Sequence, residues 1–186
     1  LSDGTMGQMM EPVSLEKGVI NEYDKSWALT GTKGERKPNI VNSLYIAPEE
    51  LEKLNFERYE RYKKIEEEEA MYEEYLMDDA EICIVAYGVA SRVAKNAIDQ
   101  ARAEGIKVGM IRPITLWPFP KKALNKAADK VNKFISVELS MGQMIEDIEL
   151  AIRCKKEVLL CNRTGGMITT TEDVLNKIYE ANGGKN

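Results

Sequence analysis

Few residues in this chain have the types and spacing that chemistry requires. Gly88-Val89-Ala90-Ser91-Arg92 lies between a strand-like run and a helix-like run, where the first turn of a helix can hold a phosphate. It lacks the Gly-x-Gly-x-x-Gly spacing, so a plain helix start explains it as well. Asn162-Arg163-Thr164-Gly165-Gly166-Met167 follows another strand-like run. Arg163 there could grip a carboxylate or phosphate, and Gly165 and Gly166 permit positive φ or close backbone approach. A loop packed at an interface fits the same residues. Asp3 and Glu138 stand at strand ends, where an acid orients or caps neighbouring groups. No His is present, which removes the commonest general base and metal ligand and excludes a self-contained Ser-His-Asp or Cys-His site. Cys83, Cys154 and Cys161 lack the spacing of a zinc or iron–sulfur site, so no metal centre is expected. Cys83 and Cys161 lie in apolar runs and read as buried reduced thiols of a cytoplasmic protein.

The elements that would position these residues emerge from a repeated phrase. Thr5-Met6-Gly7-Gln8-Met9-Met10-Glu11 recurs as Ser140-Met141-Gly142-Gln143-Met144-Ile145-Glu146. A hydroxyl residue followed three positions later by Gln predicts a capping box at a helix start. Each copy therefore predicts a strand running into a helix, the place where α/β folds put their working loops. The first copy has almost no strand before it, so residues 1–13 read as the tail of a preceding domain, with Pro12 ending a helix of about two turns. Met6, Met9 and Met10 suit an adaptable buried contact.

Residues 14–78 read as a linker. Thr30 to Asn39 is a loop without P-loop spacing. Pro48, Glu49 and Glu50 then open a helix expected to run roughly 25–30 residues, with Leu51, Leu54, Tyr62, Ile65, Tyr72 and Leu76 on one face. Glu49 to Asp78 carries 12 acidic and 5 basic side chains, more negative than the whole-chain charge of −5. The Glu66–Glu69 run reads as a solvated face. No basic cluster suggests nucleic-acid binding, and no apolar run approaches the ~20 residues of a membrane span.

From Asp79 the pattern alternates. Strands are expected at Glu81–Tyr87, Ile106–Ile111, Phe134–Leu139 and Glu157–Cys161. Helices are expected at Ser91–Glu104, Lys121–Lys130, Gln143–Cys154 and Thr171–Ala181. This predicts one α/β domain over residues 79–186, with a parallel sheet between two helix layers. Arg112-Pro113-Ile114-Thr115-Leu116-Trp117-Pro118-Phe119-Pro120 is a stiff, apolar crossover. It reads either as packing on its own domain or as a contact offered to another subunit.

That crossover, Val137-Glu138-Leu139-Ser140-Met141-Gly142-Gln143-Met144 and Arg163-Thr164-Gly165-Gly166-Met167 occur in an order that resembles one family. The chain looks like the carboxy-terminal part of the thiamine-binding alpha-type subunit of 2-oxoacid:ferredoxin oxidoreductases. Thr30 to Leu44, with the Pro48–Lys53 helix start, is most similar to the 2-oxoisovalerate branch. The resemblance implies a transketolase C-terminal-like domain: a mostly parallel five-stranded sheet between helix layers, with one strand antiparallel. Only four strands are legible after Asp79, so the fifth is expected within residues 14–47 or near Tyr45.

The resemblance further implies that thiamine diphosphate is held by a preceding domain and by a diphosphate-binding beta-type subunit, which would also carry Mg and an iron–sulfur cluster. Ferredoxin-like and gamma-type subunits, coenzyme A as co-substrate and ferredoxin as acceptor complete the implied set. No catalytic residue carries over onto this stretch. Trp117, Phe119, Gln143, Arg163, Gly165 and Gly166 are the candidates for the subunit interface, and Gly88, Ser91 and Arg92, at the helix start, the candidates for a cofactor contact. Two alternatives remain open: the matching domain of a lipoate-linked 2-oxoacid dehydrogenase, and a non-catalytic module binding an anion or protein at Gly88–Arg92.

Overall fold

The computed structural model describes residues 4–8, 10, 12, 14, 15 and 17–184. The chain divides into two compact units, one formed by Met10–Arg61 and the other by Leu1–Met9 with Tyr62–Asn186.

The Met10–Arg61 unit contains no strand among its described residues. Its loop is closed by Asn39, whose Nδ2 donates to the carbonyls of Ser26 (2.7 Å) and Ala28 (3.0 Å). Helix α1, Pro48–Glu68, begins here and has no buried residue. Pro48 fills the first helical position, where its missing N–H costs nothing, and Glu49 and Glu50 face the positive end of the helix dipole. The helix stops at 21 residues, short of the expected 25–30. Its last turn runs into the acids Glu66–Glu69 with no basic residue of its own, which weakens further propagation.

The chain then turns into strand β1, Tyr72–Tyr75, the fifth strand of the sheet. Its expected location in residues 14–47 is thereby corrected, and the sheet extends upstream of Asp79. Tyr72 and Leu76 match helical spacing, but Tyr-Glu-Glu-Tyr is short and pairs antiparallel with β3, Val108–Pro113, placing Glu73 opposite Arg112. That pair closes into an ion pair of 2.9 Å. Two glutamates on this edge also discourage pairing with another sheet.

Strand β2, Ile82–Ala86, lies at the centre, parallel to β3 on one side and to β4, Lys133–Glu138, on the other. Strand β5, Val158–Asn162, completes the order β1-β3-β2-β4-β5. Strand β2 is buried along its whole length, as expected for a strand covered on both faces. Alternate residues feed two cores. Ile82, Ile84 and Ala86 face helices α2 (Gly88–Ala103) and α5 (Thr171–Ala181). Cys83 and Val85 face helices α3 (Lys121–Ala128) and α4 (Gln143–Ile152). Cys83 and Cys161 are free and buried, and burial pushes their thiols up to about 12 and about 11 respectively.

Two contacts fix the chain around the sheet. A Cβ added at Gly109 would lie 2.5 Å from the carbonyl oxygen of Leu76, so the strap after β1 crosses β3 only because residue 109 is glycine. The Arg102 guanidinium holds that strap in place, donating to the carbonyls of Leu76 and Val108 (each 2.7 Å) and to Asp79 (2.8 Å). Helix α3 begins with Lys121 and Lys122, the unfavourable sign for a helix N-terminus. They pair with Glu66 (3.5 Å) and Glu67 (3.9 Å) from the equally unfavourable last turn of α1. Each pair partly offsets a mismatched helix end.

Among the described residues, the first copy of the repeated phrase forms a 3-10 turn, Met6–Gln8, closed by Gln8 N donating to the Thr5 carbonyl. At those residues a 3-10 turn stands where the first turn of an α-helix is expected. Asp3, Met9, Glu11 and Val13 lie outside the described residues.

Candidate functional site

The chain leaves β2 toward α2 on one face of the sheet and leaves β4 toward α4 on the other. Loops that depart to opposite faces open a crevice beyond the carboxyl ends of the strands, the usual ligand position in such sheets. A cleft of about 790 Å³ occupies this place. Tyr87 and Gly88 line it from β2, Arg112 and Ile114 from β3, and Glu138 and Leu139 from β4, with Trp117 on its rim.

Glu138 is 1% exposed and does structural work here. One carboxylate oxygen accepts from the Ser136 hydroxyl (2.8 Å) and the Ile145 N–H (3.1 Å). The other accepts from the Ser140 hydroxyl and the Met144 N–H (3.0 Å). Burial pushes the carboxyl up, but the bonds from Ser140, Met144, Ser136 and Ile145 outweigh it and hold the group below its ordinary value. The carboxylate thus caps α4 from the end of β4. This corrects the capping box expected from Ser140 and Gln143. The helix does start at Gln143, but its cap residue is Gly142 at φ 106°, and no cap side chain bonds the helix. The Ser140 hydroxyl turns to Glu138, while the Gln143 side chain accepts from Met141 N (2.9 Å).

The cofactor-contact candidates are not assembled into a phosphate site. Gly88, at φ 58°, lines the cleft. Ser91 is buried and its hydroxyl donates to the Gly88 carbonyl (2.7 Å), which leaves that proton unavailable to a ligand. Arg92 is half-buried and already has an interaction of its own. These residues do not by themselves fit a thiamine diphosphate group. Among the described residues, no cluster of His, Cys, Asp or Glu could hold a metal ion.

The interface candidates separate. Trp117 is 55% exposed, with its ring edge-on to Tyr62 at 5.4 Å. Phe119, two residues on, is buried in the α3–α4 core, so it belongs to the domain's own packing and not to an outward face. The crossover is fastened internally: the Thr115 hydroxyl donates to the Pro118 carbonyl (2.7 Å) and accepts from Met71 N (2.9 Å). The Trp117–Pro118 peptide is cis.

Arg163 is exposed but committed, donating to both carboxylate oxygens of Asp173 at 2.5 and 3.2 Å. Asp173 completes a capping box with Thr170 that starts α5. The Arg163 guanidinium and the Thr170 N–H hold the Asp173 carboxyl well below its usual range, at about 2. Gly165 and Gly166 turn the intervening loop at φ 65° and 88°, where L side chains are strained. Arg163 and the two glycines thus position α5, and Gln143 shapes the loop before α4.

What the sequence motifs do not show is that Arg112 and Ile114 of the crossover meet Leu139 of the second motif across one cleft. Their shared signal was position at the ends of strands. The cleft wall is mostly apolar: Tyr87, Ile114, Trp117 and Leu139 are all exposed along it. With both Glu138 oxygens committed and no His in the chain, the cleft offers shape and apolar contact, with little means of moving a proton.

The model of pyruvate:ferredoxin oxidoreductase core domain II matches residues 80–174, just over half of the chain. The chain belongs to that family. The ketoisovalerate oxidoreductase subunit VorB of Methanothermobacter thermautotrophicus is 50% identical over 184 residues. That match covers 98% of this chain and 52% of the relative, so the chain spans about half the relative's length. A 2-oxoglutarate:ferredoxin oxidoreductase from Magnetococcus marinus, solved with 2-oxoglutarate, coenzyme A and succinyl-CoA, superposes with a TM-score of 0.61 at 21% identity. This covers 74% of this chain and 24% of that one. A split-gene transketolase superposes with a TM-score of 0.53 at 19% identity, covering 60% and 41%. Both likenesses concern the fold, an α/β domain with a mostly parallel five-stranded sheet. Among the described residues, no helix is long and apolar enough to cross a membrane.

Proposed function

We propose that the chain is the carboxy-terminal part of one subunit of a 2-oxoacid:ferredoxin oxidoreductase that acts on 2-oxoisovalerate. The whole enzyme would convert the 2-oxoacid and coenzyme A to carbon dioxide and an acyl-CoA, passing two electrons singly to ferredoxin. Thiamine diphosphate, held by other parts of the assembly, would supply the electron sink for decarboxylation. This stretch would supply the surface that seats those parts against one another.

The observation that carries this reading is the apolar collar around the cleft. Trp117 is 55% exposed and Ile114 47%, and the exposed Tyr87 and Leu139 line the same cleft. Clustered exposed apolar side chains at a functional sheet end mark a contact surface. The 50% identity over nearly the whole chain to a ketoisovalerate oxidoreductase subunit supports the choice of substrate.

The test uses the full protein containing this chain, assembled with its partner subunits. Coenzyme A-dependent reduction of methyl viologen is measured with 2-oxoisovalerate, pyruvate and 2-oxoglutarate. The highest kcat/KM is expected for 2-oxoisovalerate. A preference for another 2-oxoacid overturns the substrate assignment, and activity only with lipoamide overturns the oxidoreductase class.

A further inference from the structure

The cations of the sheet domain are unevenly satisfied. Between Asp79 and Gly184, Arg102, Lys107, Arg112, Lys121, Lys122, Lys133, Lys155, Arg163 and Lys177 all form ion pairs. Lys95 sits over the Tyr75 ring, and Arg92 has an interaction of its own. Among the described residues of that span, only Lys126, Lys130, Arg153 and Lys156 have no ion-pair, side-chain hydrogen-bond or ring partner.

These four stand at the ends of two neighbouring helices, which form a ledge. Lys126 and Lys130 lie at the end of α3, and Arg153 and Lys156 just past the end of α4. The two helix ends are fastened together. Asn125 Nδ2 donates to the Ala151 carbonyl (3.2 Å), while Lys155 Nζ donates to Asn125 (3.2 Å) and Asp129 (2.8 Å). A groove of about 430 Å³ lies there, lined by Lys126, Arg153 and Leu150 together with the ion-paired Lys121, Lys122 and Asp129; Lys130 and Lys156 stand outside its lining. Leu150 is 75% exposed, an apolar side chain among unpaired cations.

We infer that this ledge docks an acidic protein surface, whose carboxylates meet Lys126 and Arg153 beside an apolar contact at Leu150, with Lys130 and Lys156 at the same two helix ends adding to the positive field. Charge complementarity argues for it. Unpaired cations concentrated in one place on a chain of net charge −5 create a local positive field that steers carboxylates and repels other cationic surfaces. The exposed leucine and the overall negative charge favour a protein over a nucleic acid, which would also meet unfavourable acidic surface elsewhere. The ledge lies on the α3–α4 face, away from the carboxyl-end collar, so it is a second contact surface and does not depend on the enzymatic reading.

The probe is fluorescent poly-L-glutamate, titrated into the full chain by polarisation, with a single-stranded RNA of equal charge run alongside. The variants are Lys126→Glu/Arg153→Glu and, as a charge-matched control away from the ledge, Lys64→Glu/Lys107→Glu. Circular dichroism checks the fold of each. Polyglutamate is expected to bind wild type, to weaken at least about tenfold between ~50 and ~300 mM salt, and to lose a similar factor in the ledge variant. The control is expected to change affinity by less than about threefold. Equal losses in both double variants, no binding to wild type, or tighter binding of RNA than of polyglutamate overturns the inference. The single variant Leu150→Ser should leave polyglutamate binding within about twofold, since the leucine makes no charge contact. A loss as large as that of the double variant would contradict the charge-based account.

Discussion

A Gly109→Ala variant is expected to lose about 3 kcal/mol of folding stability or more, read as a lower urea midpoint with an unchanged m-value. The added Cβ would lie 2.5 Å from the Leu76 carbonyl oxygen and 2.9 Å from its carbonyl carbon, both backbone atoms. The third contact, 2.8 Å to Met77 Sδ, is a flexible side-chain atom that can move. A Gly109→Ala/Met77→Ala double variant should therefore recover little. The cost of Gly109→Ala should be smaller in an Arg102→Ala background than in a Met77→Ala background, because Arg102 ties the Leu76 carbonyl down. Full recovery with Met77→Ala would show that the backbone contact is not the obstacle.

Glu138→Ala is expected to destabilise by a comparable amount, about 3 kcal/mol. It removes both acceptor oxygens from beneath the Ser136 and Ser140 hydroxyls and the Met144 and Ile145 N–H groups, where Glu138 itself is 1% exposed. Glu138→Gln keeps one acceptor but turns an NH₂ toward donors, so it should fall between Ala and wild type. The pH dependence follows from the direction of the shift. The folded carboxyl lies below its unfolded value of 4.5, so the folded state binds the proton less readily. The stabilisation is fully present above about 4.5 and fades as pH falls through the lower folded value. Between pH 7 and pH 3 the difference in stability between wild type and Glu138→Gln should therefore shrink. A difference that stays constant or grows would contradict an ionised Glu138 cap.

Much of the sheet domain was legible from periodicity. Helix α5 begins and ends where the Thr171–Ala181 spacing places it, and the other strands and helices fall within a few residues of expectation. Strand β1 was hidden because four residues cannot show a period, and its two tyrosines continue the helical spacing of α1. What reveals it is a partner far along the chain, the antiparallel β3. Phe119 was misread for a related reason. Sequence marks a stiff aromatic segment but not which ring turns inward, and here Phe119 enters the core while Trp117 remains outside. The cap of α4 was assigned to the local motif, whereas the structure supplies it from Glu138 at the end of the preceding strand, which a Ser-x-x-Gln pattern does not display. Arg163 showed a binding chemistry in the sequence that the fold spends on Asp173.

The claim that this domain seats other parts of an oxidoreductase, and performs no step of the reaction, is tested most directly through Trp117. Its ring is exposed at the cleft rim and touches Tyr62 edge-on, so Trp117→Ala removes outward surface without opening the core. The full protein carrying Trp117→Ala is combined with its partner subunits, and the assembled fraction is measured by sedimentation velocity alongside turnover per assembled complex. Assembly is expected to weaken by about tenfold or more, as for an aromatic anchor at an interface, with turnover per complex unchanged. A complex that forms with wild-type affinity but turns over more slowly would contradict the account.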